Sequence, residues 1–171
     1  EDRWDWRALG EETAVKWGGF IAGIGDFDAR FFNISPREAE LMDPAQRLLL
    51  IHAWNAIEDA GYAPRSLWGS RTGVFVGTAP SGYGALAARS GAAIESLSAT
   101  GEVGSIGPNR LSYLLNLTGP SEPVETACSS SLVAIHRALQ AIANGDCDQA
   151  IVGGINLILS PETHISFSKA G

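Results

Sequence analysis

Residues 124–131 read Val124-Glu125-Thr126-Ala127-Cys128-Ser129-Ser130-Ser131 and join an extended apolar segment to a strongly helical one. After Cys128, apolar residues recur at the spacing of one helical face, namely at Leu132, Ile135, Leu139 and Ile142. The pattern predicts a strand over 122–127 and a helix over 128–143. We expect the helix to end near Asn144 and Gly145, because glycine readily takes the left-handed conformation that closes helices.

Cys128 is the residue in this stretch that carries chemistry. A thiol at the start of a helix faces unpaired backbone N–H groups and the positive end of the helix dipole, and both favour the thiolate. We therefore predict that Cys128 is a nucleophile and that its own backbone N–H is the first donor of an oxyanion hole. The alternative is that Cys128 is a small buried core residue, as most free cysteines are.

Cys147 provides an internal comparison within the same sequence. It lies between Asp146 and Asp148, whose negative charges disfavour a thiolate. We expect Cys147 to be packed in the interior or to be inert at the surface. The short serine run 129–131 is small and polar, and it suits a helix start at which the backbone approaches a bound acyl group.

Strands and helices alternate along the rest of the chain. Residues 1–34 are rich in Trp, Phe and Gly and predict a loop-rich lead-in. Helix-capping signals at Ser35 and Asp43, each followed by proline, predict a short helix to about Leu41 and a longer one over 44–60. The longer helix should present one apolar face inward, formed by Leu48, Ile51, Ala56 and Ile57.

The second half of the chain continues the alternation. A buried parallel strand is predicted over 73–77, a helix over 110–117 and a strand over 149–159. The intervening Gly-, Ala- and Ser-rich stretch, 78–107, is expected to shape a substrate entrance. The pattern predicts a single α/β domain whose core spans 35–171.

Composition excludes several functional classes. The 171 residues carry a net charge of −7 without a cluster of Lys and Arg, which argues against nucleic-acid binding. No apolar run reaches the ~20 residues of a membrane helix. Two cysteines in different contexts and the absence of a signal peptide predict a reducing, cytoplasmic setting. The chain lacks an initiator Met, and we expect it to be part of something longer.

Other catalytic motifs are missing from the sequence. The G-x-S-x-G elbow of serine hydrolases is absent, as are phosphate-binding glycine loops and any Cys/His spacing that would hold zinc. We therefore expect neither a metal nor a bound cofactor. Of the three histidines, His52 and His136 are expected to be structural, and His164 is expected to have a structural role more readily than a catalytic one.

The sequence resembles the ketosynthase domains of modular polyketide synthases, which are thiolase-like condensing enzymes. The resemblance extends along the whole chain and rests on several long motifs in the same order. These are RWDW at 3–6, KWGGF at 16–20, FFNISPREAE at 31–40, MDPAQRLLL at 42–50, AIEDAGY at 56–62, NRLSY at 109–113, GPS at 119–121 and TACSSSL at 126–132.

The resemblance implies a fold, a reaction and partners. The fold would be the N-terminal half of the layered αβαβα thiolase-like architecture, so that residues 1–171 form a partial ketosynthase domain. Cys128 would take an acyl chain as a thioester from the phosphopantetheine of an acyl carrier protein, and a malonyl thioester would then condense with it after decarboxylation. Other polyketide synthase domains would be partners, and the intact domain would dimerise through the strand at about 122–127. Neither nucleic acid nor a membrane is implied.

The sequence departs from the family pattern in ways that bear on the expected condensation activity. The family also uses two histidines and a lysine from motifs such as H-G-T-G-T and G-N-x-G-H, and neither motif occurs here; Glu125 stands where Asp is usual. We therefore expect this chain alone to be inactive in condensation. One alternative is a non-elongating domain that binds and passes on acyl chains, and another is a purely structural dimerisation module. The motifs DQAIVGG at 148–154 and ISFSKAG at 165–171 resemble the subtype served by separate acyltransferases.

Overall fold

The computed structural model describes residues 3–5, 7, 17–91, 93 and 95–170. Much of the expected lead-in, the RWDW residue Trp6, Lys16 and the closing Gly171 lie outside the described residues. The described elements are α1 (Pro36–Leu41), α2 (Pro44–Asp59), β1 (Thr72–Gly77), α3 (Tyr83–Arg89), α4 (Ser96–Glu102), α5 (Ile106–Leu114), β2 (Ser121–Val124), α6 (Ser130–Asn144), β3 (Gln149–Gly154) and α7 (Glu162–Ala170). A short 3₁₀ helix, Pro64–Leu67, lies between α2 and β1.

The three strands form one parallel sheet in the order β2-β1-β3. Val74 of the central strand pairs with Ser121 on one side and with Ile151 on the other. Every residue of β1 is buried. The prediction of a buried parallel strand is therefore confirmed, because a central parallel strand is covered on both faces and needs no alternation of polar and apolar residues.

Helices cover the two faces of this sheet. Val74 and Val76 of β1 point to one face, where they join a core formed with α2 and α5. Phe75 points to the opposite face and packs with Ala134 and Ala138 of α6. The sheet thus separates two apolar clusters, and successive side chains of one strand supply both of them.

Capping at the first two helices follows the sequence signals. The Ser35 side chain accepts a hydrogen bond from the Glu38 N–H, and the Asp43 side chain accepts one from the Ala45 N–H. The side-chain carboxylate of Glu38 forms an ion pair with Arg110 of α5 at 2.5 Å. This ion pair joins α1 to α5. Ala56, which was expected to face inward from α2, is exposed, and that inward assignment is wrong.

Helix α6 has the predicted length but a different buried face. It begins at Ser130 rather than at 128 and ends at Asn144, and the capping Gly145 has a left-handed φ of 77°, as expected. Its buried residues are the small Ser130, Ala134, Ala138 and Ala141. The apolar stripe that revealed the helix is exposed instead: Leu132 70%, Ile135 46%, Leu139 62% and Ile142 40%.

The other strand and helix bounds differ modestly from the predictions. β2 ends at Val124 rather than at 127, and α5 runs over Ile106–Leu114 rather than 110–117. β3 ends at Gly154, although the apolar run that predicted it continues to Leu159. Leu157 and Leu159 lie in a separate cluster with Leu48, which explains their apolar character without a strand. Among the described helices, none has the length and apolar character needed to span a bilayer.

Candidate active site

Cys128 lies in the short connection between the carboxyl end of β2 and the first turn of α6. Its side chain is exposed. This contradicts the alternative that Cys128 is a buried core residue. The carboxyl ends of parallel strands are where open α/β sheets bind their ligands, so the position is open to a reactant.

The turn that presents Cys128 contains a left-handed alanine. Ala127 has a φ of 54°, a conformation that disfavours any residue with a Cβ atom. Such a conformation persists only where the surrounding structure determines it, and it is concentrated at functional sites. Nothing in the sequence signals this residue, because alanine has no preference for left-handed turns.

Serine hydroxyls close the turn. The Ser130 Oγ accepts a hydrogen bond from the Thr126 N–H at 2.8 Å and donates one to the Ala127 carbonyl at 2.7 Å. The Ser129 Oγ lies 2.8 Å from the Thr126 carbonyl oxygen, to which it donates. Ser130 is buried, whereas Ser129 is exposed. The serine run was expected only to be small and polar, and its role in fixing the turn was missed.

Two glycines let the first turn of α6 lie directly against the sheet. A Cβ atom at Gly77 would lie 2.8 Å from the Ser131 backbone nitrogen and 2.9 Å from the Ser130 carbonyl carbon. A Cβ atom at Gly154 would lie 2.7 Å from the Ser131 Cβ. Within the Gly153-Gly154 pair, the close approach is therefore made at Gly154. Gly77 is the last residue of β1, and a glycine at the end of a buried strand was the sequence signal that could have predicted this close packing.

The second cysteine is placed as expected. Cys147 is 1% exposed and packs in the cluster that contains Phe75 and Ala138. Both thiols of the chain are free of disulfide bonds. The Cys128 thiol is thus accessible at the carboxyl ends of the strands, whereas the Cys147 thiol is buried in the core.

The histidines occupy three different helices. His52 on α2 and His136 on α6 are exposed, and His164 on α7 is half-buried. At 1.5 Å per residue, His136 lies roughly 9 Å along the helix axis from Ser130. Among residues 3–5, 7, 17–91, 93 and 95–170, no group of three or more His, Cys, Asp or Glu side chains is arranged to hold a metal ion.

The stretch 78–107 lines an open cavity beside the ends of β1 and β3. It contributes Thr78, Ala79, Glu102, Gly104 and Gly107 to the lining, together with Asp43, Ala45, Gln46 and Leu49 from α2 and its cap and with Ile155 after β3. The Asp43 carboxylate accepts a hydrogen bond from the Ser81 hydroxyl. Cys128 is not among the lining residues, so a substrate entrance formed by this stretch stays a prediction.

Ion pairs fasten this stretch to its neighbours. Arg89 of α3 pairs with Glu162 of α7 at 2.6 Å. Hydrogen bonds from Ser160 and then from Arg89 lower the pKa of Glu162 from 4.5 to about 2. At the start of α4, Glu95 pairs with Arg37, whose hydrogen bond lowers the pKa of Glu95. The two pairs tie the end of α3 to α7 and the start of α4 to α1.

The family model described as "Beta-ketoacyl synthase, N-terminal domain" matches residues 1–171. The chain is 58% identical over 178 residues to polyketide synthase PksN of Bacillus subtilis (strain 168), covering 100% of the chain and 3% of that protein. It is 48% identical over 176 residues to polyketide synthase PksR of the same organism, covering 100% of the chain and 6% of that protein.

Solved structures show the same fold. A ketosynthase from module 6 of the bacillaene synthase from Bacillus subtilis 168 matches with a TM-score of 0.88 and 41% identity, covering 99% of this chain and 28% of that one. An oxazolomycin ketosynthase domain from Streptomyces albus JA3453 matches with a TM-score of 0.86 and 38% identity, covering 100% of this chain and 32% of that one. The architecture is the N-terminal part of the thiolase-like fold, as predicted.

Proposed function

The chain belongs to the β-ketoacyl synthase family, whose N-terminal domain it matches throughout, and from this premise we propose that Cys128 is the acyl-accepting nucleophile of a polyketide ketosynthase. The observation that carries the proposal is the placement of an exposed thiol in a tight turn between β2 and α6. Backbone N–H groups of the first turn of a helix have no partner within the helix, and they favour negative charge nearby. A thiolate and a developing oxyanion both benefit from them.

The first step of the proposed reaction is transthioesterification. The Cys128 thiolate attacks the carbonyl carbon of an acyl chain carried on the phosphopantetheine of an acyl carrier protein. The tetrahedral intermediate places its oxyanion near the Cys128 N–H, which acts as a hydrogen-bond donor. A new C–S bond to Cys128 forms, the original C–S bond breaks, and the carrier sulfur leaves as a thiolate, which takes up the proton that Cys128 released on ionising. No bound cofactor is needed for this step, because the carrier delivers the substrate.

The second step is condensation in the intact domain. A malonyl thioester loses carbon dioxide, and the resulting carbanion attacks the acyl carbonyl on Cys128. A C–C bond forms, the bond to Cys128 breaks, and the β-ketoacyl chain remains on the carrier. The H-G-T-G-T and G-N-x-G-H motifs expected to assist this step are absent from residues 1–171. We accordingly propose that these residues alone accept an acyl chain but do not condense it.

The partners we propose are an acyl carrier protein, further polyketide synthase domains and a second copy of the intact ketosynthase. β2 lies at the edge of the described sheet and pairs only with β1 there, so its outer side is open to another strand. This supports dimerisation through the strand that precedes Cys128. The likeness to a bacillaene ketosynthase is consistent with the subtype served by separate acyltransferases. A cytoplasmic setting remains our inference from two cysteines that form no disulfide.

The proposal is tested in the intact ketosynthase that contains this chain. The wild type, Cys128→Ala and Cys147→Ala are incubated with an acyl N-acetylcysteamine thioester, and the protein mass is measured over time. We expect the wild type and Cys147→Ala to gain the mass of one acyl group, and Cys128→Ala to gain none. Acylation that survives in Cys128→Ala and disappears in Cys147→Ala would contradict the proposal.

A second measurement separates an elongating domain from a non-elongating one. The acylated protein is mixed with a malonyl-loaded carrier protein, and the carrier is examined for a β-ketoacyl product. We expect the product from the wild type and not from Cys128→Ala. Acylation of Cys128 without any product would favour the alternative, in which the parent domain only binds and passes on acyl chains.

A further inference from the structure

Ser130 makes contacts that reach the peptide bond in front of Cys128. Its hydroxyl donates to the Ala127 carbonyl at 2.7 Å, and its backbone N–H donates to the same oxygen at 3.1 Å. The hydroxyl also accepts from the Thr126 N–H at 2.8 Å. One buried side chain therefore fastens the backbone on both sides of the Thr126–Ala127 peptide bond.

The Ala127 carbonyl and the Cys128 N–H belong to one peptide unit. A trans peptide unit is planar, so its C=O and N–H point in opposite directions. Two donors from the start of α6 hold the Ala127 oxygen toward that helix. The Cys128 N–H is consequently directed away from the start of α6. Both of the hydrogen bonds that hold the Ala127 oxygen in this direction come from Ser130.

The left-handed conformation of Ala127 makes this restraint necessary. With a φ of 54°, Ala127 occupies a region that disfavours residues with a Cβ atom, and a turn without other restraints would relax from it. Relaxation rotates the Ala127–Cys128 peptide unit and with it the N–H. Ser130 lies close against the Gly77 backbone, since a Cβ atom added at Gly77 would lie 3.1 Å from the Ser130 Cβ.

We propose that Ser130 is a positioning residue that aims the Cys128 N–H as an oxyanion donor by holding the Ala127 carbonyl. The inference rests on the proposed function, in which Cys128 is acylated. It differs from a general structural role in one respect. A group that directs an oxyanion donor affects attack on a carbonyl, which passes through an oxyanion, and does not affect attack on an alkyl halide, which does not.

The experiment compares two reactions of the same thiol in the intact ketosynthase. Acylation by an acyl N-acetylcysteamine thioester and alkylation by iodoacetamide are both followed by protein mass, for the wild type and for Ser130→Ala. We expect Ser130→Ala to acylate about 10- to 100-fold more slowly, somewhat less than the loss of an oxyanion donor altogether, while its alkylation rate is unchanged. The conservative Ser130→Thr keeps the hydroxyl and is expected to recover most of the acylation rate.

Ser131→Ala is the matched control. Ser131 is the next residue of the same run and is exposed, and alanine retains its Cβ. We expect wild-type rates in both reactions. Should Ser130→Ala fail to fold, the double variant with Ala127→Gly replaces it, because glycine takes a positive φ without strain. The double variant is also expected to acylate slowly and to alkylate normally, because glycine populates positive and negative φ about equally and so leaves the carbonyl of residue 127 without a restraint.

The outcomes distinguish this inference from the function on which it rests. Equal losses in acylation and alkylation would show that Ser130 only supports the fold, and an unchanged acylation rate would show that it does not direct the donor; either result overturns the inference. Acylation of the wild type at a residue other than Cys128 would instead overturn the proposed function.

Discussion

Substituting Gly77 by alanine tests how strictly the position of the α6 start controls Cys128. A Cβ atom at Gly77 would lie 2.8 Å from the Ser131 nitrogen and 2.9 Å from the Ser130 carbonyl carbon. Both atoms belong to the backbone, so no side chain can rotate out of the way. To reach the 3.4 Å at which ordinary van der Waals contact begins, the shorter distance must grow by about 0.6 Å.

This displacement sets the expected size of the effect. Overpacking of a well-packed interior costs typically about 1–3 kcal/mol, so Gly77→Ala is expected to lower the free energy of unfolding by that amount. A misplacement of 1 Å can reduce a rate by about 100-fold, so a shift of this size should slow acylation of Cys128 by roughly 10-fold or more. The assay is the rate of acyl mass gain in the intact ketosynthase, with thermal unfolding measured in parallel.

Gly73→Ala is the matched control for this substitution. Gly73 lies on the same strand, about 13 Å from Gly77 at 3.3 Å per residue. A Cβ atom there would lie 2.7 Å from the Phe75 ring and 3.1 Å from the Cys147 Sγ, which are side-chain atoms. We expect Gly73→Ala to lower stability while the folded protein acylates at the wild-type rate. If Gly77→Ala had wild-type stability and a wild-type acylation rate, the argument that the glycine seats α6 would be refuted.

Two further predictions concern the surface. The pKa of Glu162 is lowered from 4.5 to about 2 by hydrogen bonds from Ser160 and Arg89, so these bonds stabilise the fold fully above pH 4.5 and lose that contribution as the pH falls toward 2. Arg89 and Glu162 are both at least half exposed, so Glu162→Gln should lower the free energy of unfolding by less than about 1 kcal/mol at pH 7. In acid titrations, the difference in this free energy between the variant and the wild type should vanish near pH 2. A difference that stays constant with pH would contradict the lowered pKa of Glu162. Residues 1–171 expressed alone should self-associate, because the stripe that includes Leu132 and Leu139 is exposed on α6, and the variant Leu132→Gln/Leu139→Gln should associate less. This prediction is wrong if the unsubstituted chain sediments as a monodisperse monomer and unfolds cooperatively on heating.

Helix α6 illustrates how far local sequence determines this fold. Its apolar periodicity and Gly145 predicted a helix and its end, because both signals act within the helix itself. The choice of buried face depends on packing partners distant in sequence. The small face of α6, with Ala134 and Ala138, fits closely against Phe75, whereas the larger stripe beginning at Leu132 faces outward. Hydrophobicity alone therefore identified the helix and not its buried side.

The end of β3 shows a second limit. The apolar run after Gly154 extended the predicted strand to residue 159, whereas the paired strand ends at Gly154. Leu157 and Leu159 are apolar because they pack with Leu48 in a separate cluster. A run of apolar residues indicates that the segment is buried, but it does not indicate whether the segment is a strand, a helix or a loop.

The site was predictable in part. The thiol at the strand-to-helix connection and the contrast between Cys128 and Cys147 follow from local charge and helix signals, and the structure places one exposed and the other buried. The left-handed Ala127 and the hydrogen bonds of Ser130 were not predictable. Alanine has no left-handed preference, and a serine at the start of a helix is equally compatible with several turn geometries.

The most direct test of the central claim locates the acyl group. Trypsin cleaves after Arg110, Arg137 and Lys169, so residues 111–137 carry Cys128 and residues 138–169 carry Cys147. The intact ketosynthase is incubated with an acyl-loaded carrier protein, digested and analysed by mass spectrometry. The account predicts the acyl mass on peptide 111–137, as a thioester removed by hydroxylamine. An acyl group on peptide 138–169, or on neither peptide while another part of the protein is acylated, would contradict it.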